Sequence, residues 1–288
     1  MAKEIIAGIG VSDRVAHLTV FEVKEHKTKL LHLEEFTKSI EDDLWFLKQV
    51  ADSGNRALKN LSKVSVAINA NSAFLHLFPM DTTLTQPEQN EHVHWELANN
   101  IQEYHAQDFV HDIHTLKVQA REQVADVLVV AVRRSFLNKI QEFLTAKKLE
   151  LYIADTNYFG AEQALYLNYP ENKIRTFALI CSAEQRVDVG IEKNGRLIHY
   201  GYTLSNSPDE IVKLMKRIAG DAAIDQILCC GSYVQPHLID LIHNSTEIPV
   251  ELLNPFRQFI KTSTFGEFNS FNGRKHRYAA STGVALWK

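Results

Sequence analysis

The chain has 288 residues, of which 45% are hydrophobic and 23% are charged, and its formal net charge is −4. This composition is typical of a folded globular protein and argues against extended disorder. A slightly acidic chain is not expected to bind nucleic acid through its phosphates, since such binding requires a strongly basic surface. No apolar run approaches the roughly 20 residues of a membrane span, so we expect no direct insertion into a membrane.

The length predicts two compact halves that share a cleft, because a single core stops growing near about 250–300 residues. The three cysteines, Cys181, Cys229 and Cys230, lie in apolar runs, which predicts free and buried thiols. The first residues contain no apolar signal-peptide segment and lead directly into a strand pattern. We therefore expect a cytoplasmic protein that reaches the inner face of a membrane only through a partner.

The first 70 residues predict a strand hairpin, a third strand, a helix and a buried strand. Apolar runs at 5–11 and 15–23 flank a polar turn, here called the first turn, of Ser12, Asp13 and Arg14. A third strand is expected at 29–36, helical spacing runs over 42–61 with Ser53 and Gly54 as an interruption, and a continuous apolar strand covers 64–70.

A different segment follows, in which Thr85 and Pro87 predict the start of a helix that ends near residue 103. Strands at 111–119 and 125–132, a helix at 135–147 and a strand at 149–153 come next, and Asp155 with Thr156 is expected to cap a helix over 161–167. Five histidines lie in this segment: His92, His94, His105, His111 and His114. They do not converge on one helix or strand face, so we expect exposed polar side chains and no metal site.

Residues 176–230 repeat the order of the first 70 residues. Strands at 176–182 and 187–192 flank a polar turn at 183–186, here called the second turn, and Asn194-Gly195 leads to a third strand at 196–203. A helix at 208–220 and a buried strand at 224–230 follow. The tail predicts a helix at 237–243, a strand at 250–253, a loop at 261–277 and a closing helix at 278–287, in which Gly283 indicates close packing. The repeat predicts two similar halves, 1–86 completed by 153–175 and 176–288, with 87–152 as an insert.

Several phrases in this order resemble the PilM-like type IV pilus assembly proteins of the actin-like ATPase superfamily. They are Leu77-Phe78-Pro79 after the buried strand, Trp95-Glu96 in the following helix, the run at 250–256 and the run at 280–286. The resemblance covers nearly the entire chain, and its weight comes from the order of the phrases. It implies a duplicated actin-like (ribonuclease H-like) α/β fold with a small inserted α/β subdomain.

The resemblance also implies a nucleotide between the halves, gripped by glycine-containing turns with acidic residues that organise Mg²⁺. Where the family has two Asp-x-Gly turns, this chain has Gly10-Val11-Ser12 and Cys181-Ser182-Ala183. The residues expected to face a nucleotide are Gly10, Ser12, Asp13, Ser182, Ala183, Asp188, Gly231 and Ser232. Because Mg²⁺ requires oxygen ligands, we expect no catalytic residue, no metal and no cofactor, with ATP bound weakly if it is bound.

In such relatives a short cytoplasmic segment of a membrane-anchored partner binds near the insert, in a pilus or secretion-type assembly. The surface expected to receive it contains Phe74, Leu77, Trp95, Phe109 and Val110, although each also suits an ordinary core. The leading hypothesis is a non-catalytic or weakly nucleotide-binding actin-like adaptor. One alternative is an active ATPase with Asp13, Asp155 and Asp188 as rearranged ligands, and another is a structural protein that self-associates. The oligomeric state is not predicted.

Overall fold

The computed structural model describes residues 4–24, 27–53, 58, 60–119, 123–220, 222–261, 271 and 273–287. The strands in these ranges are β1 (Glu4–Val11), β2 (Val15–Lys24), β3 (Lys27–Thr37), β4 (Lys63–Ile68), β5 (Ala73–Asp81), β6 (Phe109–Gln119), β7 (Val124–Arg133), β8 (Glu150–Thr156), β9 (Thr176–Ser182), β10 (Val187–Lys193), β11 (Arg196–Thr203), β12 (Gln226–Cys230), β13 (Val250–Leu252) and β14 (Ile260–Lys261). The helices are α1 (Trp45–Asp52), α2 (Gln86–Asn100), α3 (Arg134–Ala146), α4 (Asn157–Asn168), α5 (Pro208–Ala219), α6 (Pro236–Thr246) and α7 (Ala279–Ala285). None of the helices in the described ranges has the length and apolar character that crossing a membrane requires.

The first sheet has the strand order β14-β3-β2-β1-β4-β8. Strands β1, β2 and β3 form an antiparallel meander, while β4 and β8 add in parallel. The alternation of side chains along β1 turns Ala7 and Ile9 towards α1 and α3, and it turns Gly8 towards α7. One sheet face is therefore covered by α1 and α3, and the other by α7.

The second sheet repeats this arrangement with the order β11-β10-β9-β12-β13. Three antiparallel strands are again followed by two parallel ones. Helices α5 and α6 cover one face through Ile211, Met215 and Ile242, and α4 packs on the opposite face through Tyr158. The predicted duplication of an α/β unit is confirmed.

Helices α4 and α7 cross between the two sheets at a pair of glycines. A Cβ atom on Gly283 would lie 1.7 Å from the carbonyl oxygen of Gly160, and a Cβ on Gly160 would lie 2.8 Å from that of Ala280. Only residues without a side chain allow the backbones to approach so closely. This contact is the close packing that the sequence predicts for Gly283.

The third sheet, with the order β5-β7-β6, carries α2 on one face. Val93 and Leu97 of α2 pack there with Phe78 and Phe109. The opposite face contributes Leu128 to the core of the second half. The domain boundaries stay a prediction, but this sheet already draws β5 from the segment before residue 87.

Several element limits differ from those predicted, for local reasons. Helix α1 starts at Trp45 because Asp42 Oδ1 accepts a hydrogen bond from the backbone N–H of Leu44 at 2.7 Å and stops the chain short of a helix. Residues 54–57 and 59, over which the predicted helix continued, and residues 262–270 and 272 of the predicted loop lie outside the described part. Asp155 belongs to β8 and does not cap α4, since its Oδ1 accepts from the N–H of Thr156 at 2.6 Å. Thr156, the residue before α4, makes no side-chain capping bond.

Candidate functional site

The cleft between the two halves lies where the first turn, the second turn and the end of β12 meet. Seven of the eight residues predicted to face a nucleotide line it: Gly10, Ser12, Ser182, Ala183, Asp188, Gly231 and Ser232. Gly231 has a φ of +103°, and a Cβ there would lie 2.2 Å from the carbonyl oxygen of Ser182, so β12 and β9 approach closely at this point. The repeat of the strand hairpin thus brings residues 220 positions apart to one place.

The cleft is closed. The Oγ atoms of Ser12 and Ser232 lie 2.9 Å apart across it, and Arg14 Nε lies 3.6 Å from Glu184 Oε2 at its rim. The free volume inside is about 20 Å³, which is room for about one or two water molecules. Ligand pockets typically measure about 300–1,000 Å³, so the cleft in this conformation is too small for a nucleotide.

Arg186 of the second turn is a large buried side chain that lines the cleft. Its side chain is 6% exposed, its Nε donates to Asp188 Oδ1 at 2.8 Å, and a terminal nitrogen donates to the hydroxyl of Tyr200 at 3.2 Å. The Tyr200 hydroxyl also donates to Asp188 Oδ1, and the guanidinium lies 3.8 Å from the centre of the Tyr202 ring. Burial raises the pKa of Asp188, although the guanidinium and the Tyr200 hydroxyl oppose that rise. Asp188, one of the carboxylates considered as a metal ligand, is therefore bound by the guanidinium of Arg186.

The second turn is fixed by Asn206, a residue that the sequence analysis did not single out. Ser182 Oγ donates to Asn206 Oδ1 at 3.1 Å, and Asn206 Nδ2 donates to the carbonyl oxygens of Ala183 and Glu184 at 3.2 and 2.6 Å. The sequence signal was an asparagine in a polar loop just before the helix-starting Pro208. The loop after β11 thus holds the turn in place without a ligand.

Asp13, the eighth predicted residue, points away from the cleft. Its Oδ1 accepts from Asn69 Nδ2 at 2.6 Å and from Asn71 Nδ2 at 3.5 Å, and all three side chains line the groove described below. Within the described residues, no group of three or more His, Cys, Asp and Glu side chains has the geometry to hold a metal ion.

Asp155 lies in a third place, a cavity of about 120 Å³ between the third sheet and β8. Burial, with the carboxylate of Asp112 as a further cause, raises the pKa of Asp155 to about 7. Thr156 lines the same cavity and is buried, and its hydroxyl has no hydrogen-bond partner in the structure. The three carboxylates considered as rearranged metal ligands, Asp13, Asp155 and Asp188, therefore occupy three separate surroundings.

A groove of about 730 Å³ lies between the first sheet and the third sheet. Its apolar lining includes Trp45, Phe74, Ile101, Phe109, Ala131 and Phe136. Its polar lining includes Ser12, Asp13, Asn69 and Asn71, together with the acidic residues 41–43. Arg133 lies over the Phe109 ring, 5.2 Å from its centre. This volume and this lining are typical of a binding groove.

The five residues predicted to receive a partner do not form one surface. Phe74 and Phe109 line the groove, whereas Val110, the next residue along β6, faces the Asp155 cavity. Leu77 is 43% exposed on the sheet face opposite Phe74, and Trp95 is 61% exposed on α2, outside the groove. A strand turns successive side chains to opposite faces, which separates Val110 from Phe109 and Leu77 from Phe74. Ile101, Ala131 and Phe136 line the groove and were missed, since periodicity alone does not distinguish them from core residues.

The histidines of the insert are not uniformly exposed. His105 is exposed, but His92, His94, His111 and His114 are partly buried. His114 stacks on Phe159 with ring centres 4.0 Å apart, and His94 Nδ1 lies 2.5 Å from the Tyr104 hydroxyl. Burial lowers the pKa of both His111 and His114. The expectation of exposed polar histidines was wrong for these four, because each ring packs against another ring. His92 contacts Phe78 and Trp95, His94 contacts Tyr104 and His111, and His114 contacts Phe159.

Comparison with known proteins gives structural likeness only. No family model matches the chain, and no curated protein matches it in sequence. A chain of the PilM–PilN type IV pilus biogenesis complex is similar over 99% of this chain and 98% of its own length, with a TM-score of 0.80 and 13% identity. A Bacteroides thetaiotaomicron protein with an actin-like ATPase fold and unknown function matches over 88% of this chain and 91% of its own, with a TM-score of 0.55 and 11% identity. The ethanolamine utilization protein EutJ from Carboxydothermus hydrogenoformans matches over 100% of this chain and 91% of its own, with a TM-score of 0.53 and 7% identity.

These likenesses have identities far below those at which function is shared, but they agree on the fold. The likeness to the PilM–PilN chain extends over nearly the full length of both chains, and so includes the two similar sheets and the third sheet of this chain. The chain therefore has the actin-like ATPase fold in a PilM-like form.

Proposed function

We propose that this chain is a non-catalytic, actin-like adaptor whose groove binds a short cytoplasmic segment of a membrane-anchored partner, at the inner face of a pilus or secretion-type assembly. The observation that carries the proposal is the groove between the first and third sheets. It is open, measures about 730 Å³ and has an aromatic floor. By contrast, the cleft that an ATPase would use is closed.

The groove suits an extended peptide with apolar side chains. Phe74 and Phe136 are partly exposed in the groove and supply aromatic surface, and such side chains dominate the energetics of interfaces. The carboxylate of Asp13 and the amides of Asn69 and Asn71 also line the groove, where they can bind main-chain groups of the peptide. The acidic residues 41–43 are already paired, because Glu41 binds Lys38 at 2.6 Å, Asp42 binds Lys48 at 2.7 Å and Asp43 binds Lys139 at 2.9 Å. Recognition by apolar contacts is therefore favoured over recognition by charge.

The absence of catalysis in this proposal rests on the cleft. Hydrolysis of a nucleotide needs space for it and carboxylates that meet around a hydrated Mg²⁺. The cleft offers about 20 Å³, and its one carboxylate among the three candidates, Asp188, is bound by Arg186. Asp13 and Asp155 are directed into other surroundings.

The likeness to the PilM–PilN complex supports the kind of partner. The protein in that complex is described as part of type IV pilus biogenesis and is assembled with PilN. In this chain we assign the binding of a partner comparable to PilN to the groove. The partner proposed here is a membrane-anchored protein of the same assembly.

The proposal is tested by fluorescence anisotropy with labelled peptides that tile the cytoplasmic tails of single-span membrane proteins encoded beside this chain. Phe136→Glu places a charge on the groove floor and should weaken binding by at least tenfold. Trp95→Glu is the matched control, since this aromatic residue is exposed outside the groove. Loss of binding in Trp95→Glu, with binding intact in Phe136→Glu, would place the partner elsewhere and refute the proposal.

Two further measurements separate the adaptor from the other functions considered. Calorimetry with Mg-ATP should give no heat and no turnover for an adaptor, whereas turnover that Asp188→Ala removes would establish an ATPase. Sedimentation analysis over a range of concentrations reports self-association. A polymer that forms without any peptide would favour the structural alternative.

A further inference from the structure

Arg186 lies in a position where a cation of the chain is unexpected. The resemblance identifies the second turn as a phosphate-gripping turn, whose backbone N–H groups need open space in front of them. Here the Arg186 side chain folds back into the cleft with 6% exposure, although arginine is rarely so deeply buried. A long charged side chain is buried in this way only when a specific environment receives it.

The second half supplies that environment completely. Asp188 gives the counter-charge at 2.8 Å, the Tyr200 hydroxyl accepts a hydrogen bond at 3.2 Å, and Tyr202 covers the guanidinium plane at 3.8 Å. All three residues project from the β10–β11 pair, and Asp188 and Tyr202 face each other in its register. The guanidinium is therefore held by strands that do not depend on any ligand.

Other residues of the cleft make hydrogen bonds with one another in this closed arrangement. Ser12 and Ser232 approach to 2.9 Å across the mouth, a contact that a nucleotide between the halves would break. Asn206 fixes the second turn by accepting from Ser182 and donating to two turn carbonyls. The closed form thus has its own set of bonds on both sides of the cleft.

We propose that Arg186 is a built-in plug of the cleft: its guanidinium fills the space that a ligand would need and compensates the charge of the buried Asp188 carboxylate. The inference does not depend on what the groove binds. It predicts that removing the plug leaves a cavity with an unpaired carboxylate, shaped to accept a guanidinium ion.

Chemical complementation tests the plug. Thermal unfolding of wild type, Arg186→Ala and the exposed-arginine control Arg217→Ala is followed with methylguanidinium chloride at millimolar concentration, and with methylammonium chloride at equal ionic strength. Arg186→Ala should unfold several degrees below wild type and regain at least half of that loss with methylguanidinium but not with methylammonium. Wild type and Arg217→Ala should respond to neither cation.

If Arg186→Ala does not fold, Arg186→Lys takes its place, since lysine keeps the charge but lacks the planar fork that binds Asp188 and Tyr200 together. Arg186→Lys should unfold below wild type. A midpoint equal to that of wild type in either variant, an Arg186→Ala protein that methylguanidinium leaves unchanged, or a wild-type midpoint raised by Mg-ATP would each overturn the proposal.

Discussion

At the scale of single residues, environment rather than residue type decides what each carboxylate does. Asp188 sits beside a guanidinium, Asp13 beside two amides, and Asp155 in a cavity with little to stabilise its charge. The same functional group is therefore an ion-pair partner in one place, a hydrogen-bond acceptor in another and a weak acid in the third. Asp155, with a pKa of about 7, is poised to change its protonation near neutral pH.

Asp155→Asn should change how stability depends on pH. The folded pKa of Asp155, about 7, lies above the unfolded value of about 3.9, so the folded chain holds a proton that the unfolded chain releases between these values. Wild type should therefore lose stability as the pH rises from 5 to 8, on the order of 1–3 kcal/mol after allowing for partial exposure. Urea unfolding at several pH values measures this loss.

In Asp155→Asn the pH-dependent part of the loss should disappear, and the variant should be more stable than wild type at pH 8. The exposed Asp52→Asn change serves as the control and should keep the wild-type profile. Identical profiles for wild type and Asp155→Asn would show that this carboxyl is ionised in the folded chain at all these pH values.

At the scale of elements, α4 joins the two halves through two kinds of contact. Its glycine meets α7, and its tyrosines reach the second sheet, where the Tyr158 and Tyr166 hydroxyls donate to Glu192 at 3.0 and 2.6 Å. Glu162 lies against the same carboxyl, and burial raises the pKa values of both glutamates. One helix thus connects close backbone packing on one side to a buried polar cluster on the other.

Gly283→Ala should destabilise the chain, against the usual trend for helices. In an exposed helix this change stabilises by about 1 kcal/mol, but here the new methyl group would lie 1.7 Å from the Gly160 carbonyl oxygen. Forcing α4 and α7 apart should cost about 3 kcal/mol or more. Chemical unfolding measures the change, and Asn99→Ala on the exposed side of α2 provides a helix control that should be neutral or slightly stabilising. An unchanged midpoint for Gly283→Ala would mean that the helices do not cross at this glycine.

A feature of the fold or of the site could be predicted from the sequence when it depends on neighbouring residues, and not when it depends on contacts between distant segments. Strand hairpins, turns and the repeat follow from patterns within about ten residues, and those patterns predicted both sheets and most element limits. Asp188 lies on a predicted strand and Arg186 in the predicted turn just before it, so the sequence places the two side chains near each other, but it does not show that they are buried. The groove is lined by residues of α1, β5, β6, β7 and α3, of the first turn and of the segments after β3, β4 and α2, and no local pattern relates their faces.

At the scale of the whole molecule, the filled cleft and the open groove are separate compartments that share the side chains of Ser12 and Asn69. Because the cleft is already closed in the absence of nucleotide, adding Mg-ATP should leave these shared residues where they are. Peptide affinity, measured by anisotropy with and without Mg-ATP, should therefore agree within about twofold, well under the tenfold change that about 1.4 kcal/mol of coupling produces. A larger shift would reveal communication from cleft to groove.

The face of the third sheet that points away from the groove packs against the second half. Leu116, Leu128 and Val130 of the insert share a core with Tyr200 and Leu197 of the second half, with Phe159 between them. The third sheet, which forms one wall of the groove, is therefore supported by packing against the second half. No described residue of the second half lines the groove. A shortened chain that kept every groove residue but ended before β9 would leave that wall without support, so the smallest unit able to hold a partner is larger than the surface that touches it.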